Sequence, residues 1–302
     1  PVLHTFESYF GEAKYLFAPD ERLSIVSRFN LKYQVPYHML GDLTYDRSAW
    51  RLSGNSTASY DFSEKINLIA GVDYYADLAK DRTANPDSVF ANGSKSVSYH
   101  NVSGFAQGLL KLPYTNVIVG GRYDNHNASG SAFSPRIGIT GPFNRFHYKL
   151  IWSRAFRAPG IENINLPDPD GTIVKPERTT VAEVELGYKA GDNMLLALNM
   201  FDITIKKPII YYYDDETNTE YYRNSARTGS AGFELEYRLR YSWGYAAASY
   251  SYASQKIGSW SHLDKNRVEA YSVPGHPDKV LGFSQQKFAF NSSYQLGHFS
   301  LN

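Results

Sequence analysis

Cysteine is absent from this chain of 302 residues, so neither disulfide bonds nor thiolate metal sites contribute to its structure. The sequence also lacks any run of about 18 or more apolar residues, which excludes a membrane-spanning helix. The net charge is only +1, whereas a nucleic-acid-binding protein would present a basic face. No Gly-x-Ser-x-Gly segment or glycine-rich strand-to-helix junction occurs. We therefore expect no catalytic residues, no cofactor, no metal site and no nucleic-acid partner.

Short stretches of alternating apolar and polar residues run through the whole chain. In Gly232–Arg240, Phe233, Leu235, Tyr237 and Leu239 share one parity, and Glu234, Glu236, Arg238 and Arg240 share the other. The same alternation occurs in Leu23–Val35, Trp50–Phe62 and Lys287–Gln295. Successive side chains of a strand point to opposite faces, so each stretch predicts a strand with one apolar and one polar face.

The connections between these stretches alternate between tight turns and long polar loops. The predicted turns are Ala18–Glu21, Ser63–Lys65, Leu112–Thr115, Gly141–Asn144, Ala190–Asn193, Ser242–Gly244 and Leu296–His298. The predicted loops are Pro36–Asp46, Ala79–Lys95, Gly160–Glu177, Ile209–Thr228 and Ile257–Gln285, with Asn125–Gly130 short where a long loop is due. This pattern is typical of an all-β, antiparallel transmembrane β-barrel with periplasmic turns and extracellular loops, and we expect about 14 strands. A soluble sandwich or lipocalin-like barrel shares the alternation but has more even connections.

Tyrosine is abundant, with 25 copies. Several lie near predicted strand ends, namely Tyr33, Tyr60, Tyr74, Tyr123, Tyr188 and Tyr252. Amphipathic rings at strand ends are typical of the aromatic girdles of membrane barrels. The alternative interpretation is that tyrosine simply favours strands.

A family resemblance is carried by motifs in a fixed order. They are Ser134–Gly138, Trp152–Pro159, Lys175–Glu177 leading into Glu185–Tyr188, and Asn224–Arg227 followed by Gly232–Glu236. From about Val102 onward the chain resembles the barrel of a TonB-dependent outer-membrane receptor. The resemblance implies a barrel of about 22 strands in the bacterial outer membrane, closed around an N-terminal plug domain.

On this resemblance we expect residues 1–302 to be a fragment of such a barrel, without the plug domain and the last strand or strands. The chain begins at Pro1 without a signal peptide, and Phe299–Asn302 lies within a predicted strand. A partial barrel has two open edges that lipid cannot satisfy, so the fragment alone should neither insert nor transport. Pro135 falls inside a predicted strand, and we expect it near the outer end of that strand or at a bulge.

Three charged residues share the parity opposite to the apolar side chains of their strands. Arg157, Glu183 and Glu185 are therefore expected to face the barrel lumen, where they would contact the plug or line the ligand route. The alternative is ordinary cross-strand charge pairing, which contributes about 1 kcal/mol or less.

The loop Ile209–Thr228 has the strongest recognition character. Its candidate ligand-binding residues are Tyr211, Tyr212, Tyr213, Tyr221, Tyr222 and Arg223, because rigid amphipathic rings and a guanidinium are favoured at binding surfaces. The alternative is that the tyrosines extend a hairpin above the membrane. The acids Asp214–Glu216 and the segment Asp168–Gly171 lack calcium-loop spacing and are interpreted as turns, and His262 and His276 lack metal-ligand spacing.

The function implied by the resemblance is TonB-dependent import of a scarce nutrient. Ferric siderophores are the commonest ligands of the family, and cobalamin, haem and glycans are alternatives. The implied partners are the TonB–ExbB–ExbD energy complex, acting through the plug, the outer-membrane lipid and lipopolysaccharide, and the small-molecule nutrient complex. A passive porin, an outer-membrane enzyme and a soluble carbohydrate-binding β-protein remain as alternative classes.

Overall fold

The structure is a computed structural model that describes residues 3–40, 45–86, 89–214, 216–256, 272–273, 276–280, 284–297 and 299–301. Fourteen strands form one antiparallel sheet. They are β1 (Leu3–Phe17), β2 (Leu23–Leu40), β3 (Tyr45–Ser63), β4 (Ile66–Asp81), β5 (Ser96–Leu112), β6 (Thr115–His126), β7 (Gly130–Phe143), β8 (Phe146–Arg157), β9 (Glu177–Lys189), β10 (Met194–Lys206), β13 (Thr228–Tyr241), β14 (Gly244–Gln255), β17 (Gln286–Leu296) and β18 (Phe299–Leu301). The predicted all-β class and strand number are confirmed.

The sheet is a meander in which each strand pairs with its neighbour in the chain. Two hairpins, β11–β12 (Ile209–Asp214 and Thr219–Asn224) and β15–β16 (Ser272–Val273 and His276–Val280), form separate two-stranded sheets. Because these hairpins are inserted, β10 pairs with β13 and β14 pairs with β17. The one helix among the described residues, α1 (Ile161–Asn165), lies between β8 and β9, and no described helix has the length and apolarity needed to cross a membrane.

Two faces of the sheet differ as the alternation predicts. One apolar row crosses four strands in register and consists of Leu150, Val184, Met200 and Phe233. The adjacent row on the opposite face consists of Lys149, Glu185, Asn199 and Glu234. We call these the apolar face and the polar face. Large apolar side chains such as Leu150, Met200 and Phe233 are exposed on the apolar face, as expected for a surface that lipid covers.

Tight turns join the strands at one end of the sheet, which we call the turn end. Between β7 and β8 the chain turns at Asn144 with φ 54°, and between β9 and β10 it turns at Gly191 with φ 77°. Aromatic rings gather at this end, with Tyr241 stacked on Trp243 at 5.4 Å between ring centroids and Phe146 4.8 Å from Tyr188. The turns fall where the sequence predicts them, and the rings occupy the level of a girdle.

The opposite end, the long-loop end, departs from the prediction in one hairpin. Residues 36–46 were predicted to be a loop, but β2 continues to Leu40 and β3 begins at Tyr45. The register between these strands shifts between Gln34 and Tyr37, around Pro36. Proline cannot donate a ladder hydrogen bond, and a bulge accommodates it without ending the strand. Most of the predicted loop Ile257–Gln285, with His262, lies outside the described residues.

The expectation for Pro135 is wrong. Pro135 lies within β7 and pairs in continuous register with Gly121 of β6, so it is neither at a strand end nor at a bulge. The β7–β8 ladder, however, includes no residue before Arg136, which pairs with Ser153. Pro135 therefore stands where β7 loses its second neighbour, a position at which a missing N–H costs little.

Candidate functional site

Three segments at the long-loop end fold against one another, and we call them the loop assembly. They are the described residues of the segment 82–95 between β4 and β5, namely 82–86 and 89–95, residues 158–176 with α1 between β8 and β9, and the hairpin β11–β12. Each follows a different strand pair, so only tertiary contacts bring them together.

The first contact joins residues 82–95 to α1. Phe90 is fully buried with Val97 and Tyr99, and Ile161 and Ile164 of α1 pack against this cluster. A side-chain amide completes the contact. The Asn165 carbonyl oxygen accepts a hydrogen bond from the Ala91 amide at 3.1 Å, and its amide nitrogen donates to the Tyr99 hydroxyl at 3.4 Å.

The second contact joins residues 158–176 to the hairpin. The Tyr222 amide donates to the Leu166 carbonyl at 2.8 Å, and its hydroxyl donates to Glu162 at 3.2 Å. The Arg223 guanidinium donates hydrogen bonds to both carboxylate oxygens of Asp168, to one from Nη2 at 2.8 Å and to the other from Nε. Asp168 is buried, and the hydrogen bonds from Arg223 hold the pKa of its carboxyl below the ordinary value. The segment Asp168–Gly171 is thus a turn, and its first residue, Asp168, forms an ion pair with Arg223.

The Asn224 side chain fixes the base of the hairpin. Its amide nitrogen donates to the carbonyls of Lys175 and Lys207 at 2.9 and 2.8 Å, and its oxygen accepts from the Lys175 amide at 2.6 Å. Asn224 begins the sequence motif Asn224–Arg227. Its side chain, however, bridges the hairpin to Lys175, which lies 49 residues earlier in the chain. Sequence reasoning did not identify that role.

The tyrosines predicted to bind ligand lie on the two strands of this hairpin. Tyr212 and Tyr221 are only 6% exposed and stack at 5.3 Å between centroids. Tyr211 and Tyr222 meet edge to face at 5.5 Å. Tyr213 is 43% exposed and donates to Asn218 near the hairpin tip. The hairpin considered as an alternative is therefore present, and Tyr213 is its most accessible ring.

At the hairpin tip, the acidic side chain of Asp214 stabilises the turn through hydrogen bonds to its backbone. The Asp214 carboxylate accepts hydrogen bonds from the amides of Glu216 at 3.0 Å and Thr217 at 3.4 Å. Asp215 lies outside the described residues. This pattern is that of an Asx-turn, in which a short acidic side chain satisfies nearby backbone donors.

The charged residues expected in the lumen lie on the polar face and form ion pairs there. Lys149 lies 2.7 Å from Glu183 and 3.0 Å from Glu185. Arg157 donates to Glu177 at 3.0 Å, and Glu177 also accepts from the Ile209 amide at 3.1 Å. Arg157 and Glu177 thus connect the strand wall to the first residue of the hairpin.

A second polar network lies on β3–β6. From the sequence, only alternating strands and no candidate functional residue were predicted in this region. Arg51 donates twice to Asp77, each at 2.6 Å. Arg122 binds Asp73, Asp124 and Ser103, with 2.9 Å to Asp124. Beside this network is an open cavity of about 390 Å³ whose charged lining residues are Arg28, Asp73, Arg122 and Arg136. The sequence signal that could have predicted this network is that its arginines and aspartates occupy alternating positions that face the same side of the sheet.

No group of three or more His, Asp or Glu side chains that could hold a metal ion is found in the described part of the chain. A meander of long strands with an exposed apolar face, a charged opposite face and structured loops at one end defines the wall of an outer-membrane β-barrel. The family model described as "TonB dependent receptor-like, beta-barrel" matches residues 6–301. The chain belongs to this family, and it is therefore part of an integral outer-membrane barrel, which sets the soluble alternative aside.

Solved structures with the same fold are distant in sequence. The copper transporter OprC is 16% identical with a TM-score of 0.72, and the alignment covers 99% of this chain and 52% of that one. A mutant of the ferric enterobactin receptor PfeA from Pseudomonas aeruginosa is 14% identical with a TM-score of 0.72, covering 97% and 47%. The FrpB iron transporter from Neisseria meningitidis is 13% identical with a TM-score of 0.70, covering 96% and 48%. This chain thus spans about half the length of these structures. No curated protein matches it.

Proposed function

We propose that this chain is barrel wall and extracellular loops of a TonB-dependent receptor that imports a scarce nutrient, with ferric siderophores as the substrate class. The observation that carries the proposal is the loop assembly, which holds a tyrosine-rich hairpin in a defined position above the polar face. A passive pore needs no such device, whereas a receptor gains affinity when its binding residues are ordered before the ligand arrives.

The hairpin supplies chemistry suited to a metal chelate. Tyr213, with the part-exposed rings of Tyr211 and Tyr222, provides amphipathic surface, and Arg223 is only partly exposed because it binds Asp168. Tyr212 and Tyr221 form a buried stack on the other face of the hairpin. Arg223 lies on the same face as this stack, with its guanidinium 5.6 Å from the centre of the Tyr221 ring. Siderophore and iron receptors among the similar folds support the substrate class.

The polar face is proposed to meet the rest of the receptor. Arg157, Glu183 and Glu185 would contact a plug domain or line the ligand route, together with the Arg122 network. The plug would receive energy from the TonB–ExbB–ExbD complex. The matched structures are about twice as long as this chain, which leaves room for a plug and further strands. Outer-membrane lipid and lipopolysaccharide would cover the apolar face.

The test is uptake of radioactive iron by cells that express the full reading frame containing this chain. Iron-limited cells would be offered ferric catecholate and ferric hydroxamate chelates, with a deletion strain and a TonB-deficient strain as controls. Accumulation that requires both the gene and TonB is expected for at least one chelate. Equal accumulation without TonB would indicate a passive pore instead.

A tyrosine pair sharpens this test. Tyr213→Ala is expected to weaken chelate binding about tenfold, because it removes the most exposed ring of the hairpin. Tyr245→Ala is the matched control, since Tyr245 is similarly exposed at the turn end. Equal affinity of both variants would remove the hairpin from the binding site.

A further inference from the structure

A cavity at the long-loop end collects positive charge that the proposed import does not use. Its volume is about 400 Å³. It is lined by the tip of the β6–β7 hairpin, by residues 173–176 and by the adjoining ends of β9 and β10. The charged residues among its lining are Lys175, Arg178, Lys206 and Lys207, with no carboxylate. We call it the rim cavity.

The register places the rim cavity beside the apolar face. Arg178 lies directly opposite Lys206 in the β9–β10 ladder. Arg178 has the same parity as Leu186, and Lys206 has the same parity as Met200, both on the apolar face. On that face, the row of Trp152 and Ala182 continues into Asp202 of β10, and Arg178 and Lys206 lie two rows further toward the loops. Arg178 pairs there with Phe156 of β8. The cations thus stand at the loop end of this face, beyond the first polar side chain, at the level of lipid headgroups.

These cations have no internal counter-ion among the described residues. Elsewhere at the long-loop end, arginines are neutralised, with Arg82 2.7 Å from Asp46 and Arg47 3.1 Å from Asp81. Like charges directly opposite each other destabilise a sheet, and Arg178 opposite Lys206 is such a pair. An anion bound between them would remove that cost.

The rim cavity also offers a neutral donor. Ser129 lines it, and the buried Ser129 hydroxyl oxygen has no hydrogen-bond partner among the described residues. Ser131 lies close by in the same lining. A phosphate group takes several hydrogen bonds from charged and hydroxyl donors, and arginine matches its geometry best.

We propose that the rim cavity binds a phosphate group of a phosphorylated glycolipid in the outer leaflet, that is, the lipid A portion of lipopolysaccharide. The proposal rests on the outer-membrane placement and deepens the lipid contact proposed above, but it does not depend on which nutrient is imported. The cavity volume accommodates a phosphorylated sugar, and its position beside the apolar face suits a ligand whose acyl chains lie in the membrane.

The experiment measures lipopolysaccharide bound to the full-length receptor, purified in detergent and analysed by native mass spectrometry. One variant combines Lys175→Gln, Arg178→Gln, Lys206→Gln and Lys207→Gln. The control combines Lys65→Gln, Lys111→Gln, Arg145→Gln and Lys189→Gln, which removes the same charge from exposed cations at the turn end. Binding should weaken about tenfold or more in the rim variant and stay unchanged in the control. Equal retention by both would overturn the proposal.

A second measurement on the unaltered protein decides the ligand even if the rim variant fails to fold. Bisphosphorylated lipid A should displace bound lipopolysaccharide, and chemically dephosphorylated lipid A should not. Equal displacement by the dephosphorylated lipid, or by inorganic phosphate at matched concentration, would overturn the lipid-phosphate site. Iron uptake is recorded in the same strains. If the unaltered protein binds lipid A as expected but gives no TonB-dependent iron uptake, the import function is contradicted and the lipid-phosphate site is not.

Discussion

The two ends of this sheet are stabilised in different ways. At the turn end, contacts lie within one turn or join neighbouring turns. The Asp20 carboxylate accepts from the amides of Arg22 at 2.8 Å and Leu23 at 2.9 Å, and the Tyr148 hydroxyl donates to the Tyr114 carbonyl at 3.1 Å. At the long-loop end, contacts join distant segments, with Ala91 bonded to Asn165 across 74 residues and Arg223 bonded to Asp168 across 55. A local contact orders one turn, whereas a distant contact positions one loop relative to another. The second kind of contact suits the proposed receptor function, in which several loops would contact one ligand.

The largest difference between the ends is expected from arginine variants. Arg223→Ala removes the partner of the Asp168 side chain, which is 1% exposed, and leaves a buried carboxylate. We expect about 2 kcal/mol of local destabilisation, less than for a fully buried pair because Arg223 is partly exposed. Hydrogen exchange of the hairpin amides 209–224 measures it.

The matched variant is Arg238→Ala near the turn end. Arg238 lies 2.6 Å from Glu236 two positions away, and both side chains are exposed. Its removal should change stability by about 0.5 kcal/mol or less. Similar exchange rates in the hairpin of both variants would contradict the contrast between the two ends.

A backbone variant tests the turn end. Asn144 has φ 54°, a left-handed conformation that costs other residues about 1–2 kcal/mol. Asn144→Ala should lower the stability of β7–β8 by about that amount, and Asn144→Gly should be nearly neutral. Urea unfolding of the purified receptor gives the difference. A large loss in the glycine variant would show that the Asn144 side chain, not its conformation, matters.

A smaller effect is expected from Asn165→Ala at the long-loop end. This change removes the acceptor of the Ala91 amide and the donor to Tyr99, at a cost of about 1 kcal/mol. The apolar contact of α1 with Phe90 remains. Limited proteolysis should cleave residues 82–95 faster while the hairpin stays protected. Unchanged cleavage would mean that the apolar contact alone holds the loop.

The smallest effect at neutral pH comes from titration. The pKa of Asp168 is lowered from its ordinary value of 3.8, chiefly by hydrogen bonds from Arg223. A group whose pKa is depressed by folding stabilises the fold above its unfolded pKa, and that stabilisation is lost as pH falls through the folded pKa. Hairpin exchange, corrected for intrinsic rates, should therefore stay constant from pH 7 to about pH 4 and rise below it. Arg223→Ala should abolish this rise, and a rise that persists would assign it to another group.

Much of the wall was predictable because strand residues alternate between faces. Phe233 and Glu234 were assigned to opposite faces correctly, and the tight turn at Asn144 was located. Pro36 and Pro135 were misjudged, since the cost of a missing N–H depends on whether a neighbouring strand is present at that position. The six candidate residues lie on one hairpin, and their binding of a ligand stays a prediction. Which of their rings are buried depended on the partner segment.

By itself, the sequence determined the class of fold, the strand order and the two faces, because a period of two and short turns are local properties of the chain. Only the tertiary structure decided that Arg223 binds Asp168, that Asn165 joins two loops, and that Arg178 and Lys206 stand opposite each other without a counter-ion in the described chain. These contacts depend on how far neighbouring strands are offset in register and where their loops meet. A pattern within one segment carries no information about that offset.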